Sequence, residues 1–329
     1  MSSFSSHLQT LLAKLSISTP AQLKASGILS MNARNLNYIS RYNPRSLLPL
    51  VDDKLTTKRM AEKAGVDVPK LIGVIEYQSD IRKLKDILEP LEQFVIKPAK
   101  GSGGKGILVI TSRDGDRYVK ASGESLSFDA VSRDVSNILG GLYSLGGKTD
   151  VAVIESLIVA DPIFSNYSFE GVPDIRIIVF RGFPVMAMMR LATRASDGKA
   201  NLHQGAVGVG LDIATGKPLR TVQHNRPVQN HPDTGHDFSK LNVPHWQKIL
   251  QLSANCFEMT GLGYLGVDLV LDQNLGPLIL ELNARPGLAI QIANGQGIEP
   301  RLKAIEALRK HDISIDERVA FSQQHFGAD

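Results

Sequence analysis

Hydrophobic positions near the N-terminus recur with the period of a helix. The leucines that carry this period are Leu8, Leu11, Leu12 and Leu15. Another turn or helix is predicted to begin at Ser18, Thr19 and Pro20, because proline is favoured in the first turn of a helix. We therefore predict that residues 1–52 form a short helical leader and not a full domain.

The next hundred residues combine helical and strand-like patterns. We predict a helix from Asp53 to Ala64, stopped by Gly65, and a further helix from Asp80 to Leu88. The sequences VDVPKLIGVIE, FVIKPA and ILVIT read as extended segments, with the tight loop GSGGKG between the last two. A helix is expected in DAVSRDVSNIL. We assign these elements to one lobe, residues 53–154.

Two hairpins dominate the second half of the chain. One is predicted in PDIRIIVFRGFPVMAMMRLAT around an Arg-Gly turn, and the other in YLGVDLVLDQNLGPLILELN. Between them, Leu211 to Pro244 is polar and is expected to be irregular, and HWQKILQLSANCFEMTGL is expected to be helical. A last helix at about 299–309 precedes a polar tail. The pattern predicts an α+β fold with a second lobe at 155–310 and a tail at 311–329.

Composition narrows the class of protein. With 329 residues, 43% of them hydrophobic, the chain can bury one large core or two moderate ones. Its formal charge of +4 comes from scattered lysines and arginines, which suits anionic ligands such as nucleotides and disfavours nucleic acid. No export signal or membrane-spanning stretch is found, so we expect a cytoplasmic protein without membrane contact. Cys256, the one cysteine, is expected to pack as a small hydrophobe.

The hairpin from Tyr264 to Asn283 is the most informative segment. If its turn centres on residues 273–276, antiparallel pairing places Asp268 opposite Glu281, with Asn283 on the same sheet face. Opposed acids among apolar neighbours repel unless a cation neutralises them, and an oxygen-only ligand set favours Mg²⁺. The alternative is an exposed hairpin whose acids face water.

A glycine-rich loop follows the predicted strand FVIKPA. It consists of Gly101, Ser102, Gly103, Gly104, Lys105 and Gly106 and matches G-x-G-x-x-G. The loop leads into a strand and not a helix, which excludes a dinucleotide fingerprint, and no Gly-Lys-[Ser/Thr] ends it. We predict a flexible flap whose backbone N–H groups cover phosphates, the alternative being an ordinary flexible turn.

Charged residues interrupt several apolar strands. These are Lys97, Glu155, Asp174 and Arg176, followed later by Arg190, Asn201 and His203. A buried lysine such as Lys97 requires an anionic partner. Together these residues predict a polar cleft lined by strands. Lys54, at the start of a helix, is uninformative alone.

Six motifs together resemble the ATP-grasp superfamily, in particular its alpha-L-glutamate ligase branch, which is similar to the enzymes that add glutamate to a ribosomal protein's C-terminus. The motifs are DKLTTKRMAEKAGVDVP, FVIKPAKGSGGKGI, PDIRIIVF, NLHQGA, GVDLVL and ILELNARPG. The resemblance runs from about Asp53 to Leu288. It implies the ATP-grasp fold, in which two α/β lobes sandwich ATP.

The resemblance also implies residue roles. Lys54, Lys97 and the loop from Gly101 to Gly106 would hold the ATP phosphates. Glu155 would lie at the hinge against the adenine, and Asp174 would contact the nucleotide. The metal ligands for Mg²⁺, or for Mn²⁺ in its place, would be Asp268, Glu281 and Asn283. The residues that position the carboxylate and the transferring phosphoryl group would be Arg176, Arg190, Asn201 and Arg285.

The activity that this family implies is an ADP-forming carboxylate–amine ligase. Its substrates would be ATP, a carboxylate and an amine acceptor, and glutamate or a related amino acid would be joined to a peptide or small acceptor. Two alternatives remain open, an ATP-grasp small-molecule kinase and a non-catalytic nucleotide-binding module. Family members usually carry an N-terminal α/β domain that helps to bind substrate, and this chain is expected to lack it, so a homo-oligomer or a partner protein is also left open.

Four histidines lie in or directly after the polar segment that precedes the helix predicted at 245–262. They are His224, His231, His236 and His245. They lack the close pairing of zinc sites. We therefore expect them to be solvated rather than to hold zinc.

Overall fold

The computed structural model describes residues 19–101, 103–309 and 313–328. The helix predicted from Leu8 to Leu15 and the loop residue Ser102 lie outside this part of the chain. The α-helices, in chain order, are α1 (Pro20–Ala25), α2 (Met31–Ala33), α3 (Ser40–Tyr42), α4 (Pro49–Asp52), α5 (Lys54–Lys63), α6 (Leu84–Leu88), α7 (Phe128–Leu139), α8 (Trp246–Thr260), α9 (Ala289–Asn294), α10 (Glu299–Glu306) and α11 (Ile315–Phe326). A π-helical segment, Arg34–Ile39, joins α2 to α3.

The first sheet has six strands, all joined by antiparallel pairing. They are β1 (Leu71–Ile75), β2 (Phe94–Pro98), β3 (Leu108–Asp114), β4 (Arg117–Lys120), β5 (Ser125–Leu126) and β6 (Ala152–Glu155). Their order is β1-β6-β2-β3-β4-β5. Helices α6 and α7 cover one face, and the core between them includes Phe94, Ile96 and Val131.

The second sheet has seven strands, again antiparallel throughout. They are β7 (Asp174–Phe180), β8 (Phe183–Leu191), β9 (Val207–Leu211), β10 (Pro218–Gln223), β11 (Arg226–Pro227), β12 (Tyr264–Asp272) and β13 (Gly276–Asn283). Their order is β11-β10-β9-β8-β7-β12-β13. Helices α8 and α11 pack on the sheet and complete the larger core, in which Cys256 is fully buried.

Local sequence explains where the main elements begin and end. Helix α5 begins after Asp53, whose side chain accepts a hydrogen bond from the Thr56 N–H group, and α8 ends at Gly261 in the left-handed conformation. The β7–β8 hairpin turns at Arg181 and Gly182, which both have positive φ, as a two-residue hairpin turn requires. The helices predicted at 53–64 and 245–262 and both predicted hairpins are therefore confirmed.

Two predictions about irregular segments are wrong. The polar stretch 211–244 contains β10 and β11, and His231 within it is buried instead of solvated. Its ring bonds backbone groups on both sides, with Nε2 at 3.2 Å from Ala192 O and Nδ1 accepting from the Asp233 N–H group. The polar tail expected after residue 309 contains helix α11, which buries Val319 and Phe326.

The described part of the leader is joined to the second lobe. Gln291 accepts a hydrogen bond from Leu29 N–H and donates one to Leu29 O, at 2.8 and 3.0 Å. Asn43 bonds both backbone groups of Tyr264 in the same way. Residues 19–52 therefore contribute to the core that covers the second sheet. Within the described residues every helix is too short or too polar to span a bilayer.

The close approach of Gly297 to Gly27 tests this docking. A Cβ added at Gly297 would lie 1.9 Å from the Gly27 carbonyl carbon, which is backbone and cannot rotate away. We expect Gly297→Ala to lower the free energy of unfolding by about 2 kcal/mol, measured by urea denaturation. Gly140→Ala is the matched control, because Gly140 has helical φ and its Cβ would meet only ordinary contacts. Equal stability of the two variants would contradict the docking.

Candidate functional site

A row of charged side chains crosses the second sheet. The strand register pairs Arg190 with Asp174, Arg176 with Asp268, and Asp268 with Glu281. Cross-strand partners share a sheet face, and alternate residues along a strand do so too, so these five side chains project to one side. The opposition of Asp268 and Glu281 expected from the sequence is confirmed.

The pairing of Asp268 with Glu281 depends on a bulge. The hairpin loop has three residues, 273–275, because Asp272 pairs with Gly276. Such a loop alone would place Leu280 opposite Asp268. One extra residue between Ile279 and Glu281 shifts the register and restores the acid pair.

Arginines neutralise the buried acids of this row. Arg176 donates to both oxygens of Asp268, at 2.7 and 2.5 Å, and Arg190 donates to Asp268 Oδ2 at 2.9 Å. Arg190 also forms a bidentate pair with Asp174. Although burial acts to raise the pKa of Asp268, the two guanidinium charges hold that pKa below its ordinary value. Burial raises the pKa of Asp174 to about 6, against the lowering effect of Arg190.

Glu281 has a separate cation. Lys54 Nζ lies 3.0 Å from Glu281 Oε1 and donates to Gly101 O at 2.7 Å, so it joins the second sheet to the glycine loop. The Glu281 side chain remains 36% exposed. Lysine and arginine side chains therefore already supply the counter-charge that the sequence argument assigned to a metal ion, and the metal site stays a prediction.

Lys97 has the anionic partner that the sequence requires. Its ammonium contacts Glu155 Oε1, and Lys58 Nζ approaches Glu155 Oε2 to 2.6 Å as an ion pair outside hydrogen-bond geometry. All three side chains are buried. Burial acts to raise the pKa of Glu155, but the two lysines together hold it below the ordinary value. Two cations and one anion leave this triad with a net charge of +1.

Sequence reasoning missed Lys58. It lies one helical turn after Lys54 on α5, so the spacing i, i+4 could have placed both lysines on one face. Burial lowers the pKa of Lys58, partly offset by Glu155. Since the Glu155 carboxylate is held between two lysines, a hinge contact with adenine would fall to the backbone that follows it.

The start of the glycine loop, its stem at Lys100, is held by hydrogen bonds, whereas its tip at Gly103 and Gly104 has free space around it. Gly103, Gly104 and Gly106 have positive φ, and a Cβ on Gly103 or Gly104 would meet nothing within 4 Å. The stem is held by Asp150, whose carboxylate accepts from Lys100 N–H at 3.0 Å and from the Ser144 hydroxyl at 2.5 Å. This arrangement allows the tip to move while its ends stay in place.

One cavity collects most of the predicted phosphate and metal residues. A space of about 480 Å³ is bordered by Lys54, Gly101, Glu281, Asn283 and Arg285. A smaller space of about 60 Å³ continues from Lys54 and Glu281 to four further predicted residues, which are Lys97, Gly103, Gly104 and Lys105. Lys100 and Lys148 add positive charge to the larger cavity. The structure thus places the glycine loop, Lys54, Lys97 and two predicted metal ligands, Glu281 and Asn283, along these two adjoining spaces.

Three further residues with predicted roles have contacts of other kinds. Asn201 accepts a hydrogen bond from His203 N–H and caps a short 3₁₀ turn, with no described contact to the charged row. Arg285 is 54% exposed and lies 3.9 Å from Asp52. Both oxygens of Asp174 bond Arg190, so a ribose contact would have to displace that pair.

The predicted metal ligands fit Mg²⁺ in their chemistry. Asp268, Glu281 and Asn283 offer oxygen donors, and Glu281 is open to the larger cavity. Asn283 donates its amide to Asp268 Oδ2 at 3.2 Å, and both Asp268 oxygens accept from arginine. A metal ion would therefore replace hydrogen bonds that exist without it. No cluster of three His, Cys, Asp or Glu side chains suited to a metal occurs in the described ranges.

Two antiparallel sheets bordering a common cavity, with a glycine loop on one and an acid pair on the other, define an ATP-grasp protein. Residues 33–307 match the family described as "Sugar-transfer associated ATP-grasp". The chain belongs to this family.

Curated relatives are similar over most of this chain. A probable alpha-L-glutamate ligase of Xanthomonas oryzae pv. oryzae (strain MAFF 311018) is 26% identical over 257 residues, covering 78% of this chain and 64% of that protein. A cyanophycin synthetase of Trichormus variabilis (strain ATCC 29413 / PCC 7937) is 24% identical over 275 residues, covering 76% and 28% respectively. The chain thus spans less than two thirds of the length of either relative.

Among solved structures, the chain is similar to the ATP-grasp ligase PsnB complexed with minimal precursor, Mg and ADP. The TM-score is 0.43 at 13% identity, covering 85% of this chain and 62% of that one. It is also similar to D-cycloserine synthetase DcsG, with a TM-score of 0.45 at 16% identity, covering 82% and 79%.

The buried charged row yields a stability prediction. Arg190→Met leaves Asp174 without a cation in a buried position, so we expect the free energy of unfolding to fall by about 3 kcal/mol. Adding Asp174→Asn should recover part of the loss, because the uncompensated charge is then removed. Urea denaturation measures both, with Arg285→Met as an exposed control. A loss no larger than that of the control would refute the pairing.

Proposed function

We propose that this chain is an ATP- and Mg²⁺-dependent carboxylate–amine ligase that forms an amide or peptide bond through an acylphosphate and releases ADP. The observation that carries the proposal is the meeting of the glycine loop, Lys54, Lys97 and Glu281 at one cavity. Cations and backbone donors on one side and an acid on the other suit a metal-bound polyphosphate. Curated relatives with ligase names support the same reaction class.

The residues of the chain would act first on the nucleotide. Lys54, Lys97 and the loop N–H groups would hold the phosphates, and the net positive triad of Lys97, Glu155 and Lys58 keeps one charge available for them. Mg²⁺ held by Asp268, Glu281 and Asn283 would supply further neutralisation of phosphate charge. Closure of the glycine loop would exclude water from the acylphosphate.

Group transfer would then follow in two balanced steps. A carboxylate oxygen attacks the γ-phosphorus and the bond to ADP breaks, which leaves an acylphosphate. The amine nitrogen attacks the acyl carbon, phosphate leaves, and the nitrogen loses a proton. Arg190 is already fixed by Asp174, so its guanidinium group needs little reorganisation to stabilise the transferring phosphoryl group. Arg176 would join it once the metal ion takes the Asp268 oxygens that Arg176 now contacts. We assign Arg285 and Asn201 to positioning of the carboxylate.

The substrate part of the proposal is glutamate or a related amino acid, joined to a peptide or small acceptor. It is supported by the likeness to proteins named alpha-L-glutamate ligase and cyanophycin synthetase, of which the chain covers part. We also propose that the protein is cytoplasmic and that its two lobes comprise residues 53–154 and 155–310. A homo-oligomer or a partner protein remains compatible with it.

The proposed reaction is tested by trapping the acylphosphate. The full chain is incubated with ATP, Mg²⁺ and single amino acids or glutamyl peptides in the presence of hydroxylamine. We expect a hydroxamate to form together with one equivalent of ADP. A phosphorylated substrate without hydroxamate would indicate a kinase instead, and ATP binding without ADP release on any substrate would leave a binding module.

Glu281→Gln is the matched variant for this assay. It removes charge from the cavity and hardly changes side-chain volume, so we expect hydroxamate formation to fall at least about a hundredfold while the unfolding transition stays within about 1 kcal/mol. Lys83→Gln, on an exposed surface pair with Asp80, is the control. Unchanged turnover in Glu281→Gln would remove this residue from the metal site.

A further inference from the structure

A second cavity lies between the helical leader and the second lobe. It has a volume of about 680 Å³ and an apolar floor that includes Leu29, Met31, Leu288 and Ile292. Its polar lining includes Arg34, His203 and His224, and no aspartate or glutamate is among the lining residues. Its size is in the range of sites for small ligands. The cavity is therefore apolar in body and positive in charge.

Arg34 differs from the other buried cations. The described lysines and arginines that are buried are Arg34, Lys58, Lys97 and Arg318. Glu155 pairs with the two lysines and Glu258 with Arg318. Arg34 is 6% exposed, and within the described ranges no carboxylate lies within 4 Å of it. A buried guanidinium without an anion is costly, which makes this position a candidate for an anion supplied from outside.

The hydrogen bonds of Arg34 leave capacity for such an anion. Nε and Nη2 donate to Asn35 Oδ1 at 3.1 and 2.8 Å, and Nη1 donates to Pro286 O. A guanidinium carries five N–H donors, so the second N–H of Nη1 and that of Nη2 remain for another acceptor. Two terminal donors of this kind match the two oxygens of a carboxylate.

The electrostatic neighbours of Arg34 do not compensate its charge. Burial lowers the pKa of Arg34, and Arg285 lowers it further. Ionised Tyr264 would raise the pKa of Arg34, but the tyrosine hydroxyl is buried without a hydrogen-bond partner, and burial raises the pKa of Tyr264 itself. Positive charge at this end of the cavity is thus unbalanced by the described residues.

The position of Arg34 connects this cavity to the proposed reaction centre. Pro286, whose carbonyl accepts from Arg34, follows Arg285 on the border of the 480 Å³ cavity, and Gly287 and Leu288 line the 680 Å³ cavity. One loop, residues 284–288, therefore separates the two spaces. A substrate lying in the second cavity would have its anionic end at Arg34, close to the loop that follows the metal ligand Asn283.

We propose that this cavity binds an acidic amino acid or peptide, with an unreacting carboxylate of the substrate held by Arg34. The inference rests on the proposed ligase function, and it names the substrate as a molecule with a carboxylate besides the group that reacts. A single arginine with two free donors suits a carboxylate better than a phosphate dianion, which usually takes several cations. The helical leader then supplies part of the substrate site.

Calorimetric titration of the full chain tests the site without turnover. The probes are L-glutamate and triglutamate. Their counterparts are triglutamine amidated at its C-terminus, called triglutamine below, which carries no carboxylate, and inorganic phosphate. We expect at least one glutamate probe to bind, triglutamine to bind about tenfold or more weakly, and phosphate not to compete. Failure of both glutamate probes, equal binding of triglutamine, or displacement by phosphate would overturn the proposal.

Variants separate the role of Arg34 from a structural one. Arg34→Met should weaken glutamate-probe binding about tenfold or more, Arg34→Lys should recover part of it, and ATP affinity should be unchanged in both. Met31→Glu adds a negative charge at a 63% exposed position of the lining and should also weaken binding, even if Arg34 variants fold poorly. Arg41→Met, an exposed arginine of the same leader, is the control.

The outcomes distinguish this site from the proposed function. Arg34-dependent binding of a glutamate probe supports the site even when no hydroxamate forms, in which case only the ligase reaction fails. The opposite outcome is that hydroxamate forms but neither Arg34→Met nor Met31→Glu weakens glutamate binding. That outcome would overturn the site and support the ligase reaction.

Discussion

A buried charge must have a partner, and this constraint organises the structure. Burying an isolated carboxylate or ammonium costs far more than a single contact returns, so each charged side chain that interrupts an apolar strand has to find its counter-charge nearby. Glu155 holds two lysines, and Asp268 is held by two arginines. These pairs cross between strands of each sheet and, through Lys58, between helix α5 and the first sheet. They fix the side chains that border the cavity before any ligand arrives.

Lys54 links the second sheet to the glycine loop of the first sheet. It contacts Glu281 on β13 and the carbonyl of Gly101 at the base of the glycine loop. A polyphosphate entering the cavity would offer Lys54 a stronger partner than the half-exposed Glu281 carboxylate. Release of Glu281 would then provide an oxygen ligand for the metal ion that accompanies the nucleotide. Under the proposed function, the Lys54 ammonium and the metal ion would thus bind the same carboxylate in turn.

Much of this could be predicted from the sequence, because alternation along strands is a strong local signal. The hairpin from Tyr264 to Asn283 revealed the opposition of Asp268 and Glu281, although the bulge at Leu280 that produces it has no signature in the sequence. The need of Lys97 for an anion followed from its apolar neighbours. Strands β10 and β11 were missed because their residues are polar. Helix α11 carried a signal that was overlooked, the capping box of Ser314 and Glu317.

Contacts distant in sequence account for the rest. Arg34 meets Pro286 across more than 250 positions, and nothing near either residue indicates their approach. Lys58 could have been found from its spacing to Lys54, whereas the arginine partners of Asp268 depend on a strand order that brings β7 between β8 and β12. The strand register places two arginines beside Asp268, and their charges neutralise it. The repulsion between acids from which a metal ion had been inferred is therefore already relieved. The proposed roles of Lys54, Lys97 and Glu281 therefore rest on their shared cavity and on family membership.

The account is tested most directly by the affinity of the nucleotide-free protein for Mn²⁺, measured by titration with electron paramagnetic resonance detection. Because Lys54 and the arginines neutralise the acids, the wild-type chain should bind Mn²⁺ no more tightly than about the millimolar range without nucleotide. Lys54→Met should bind it about tenfold more tightly, since Glu281 loses its cation. Tight Mn²⁺ binding by the nucleotide-free wild-type chain, unchanged in Lys54→Met, would contradict the account.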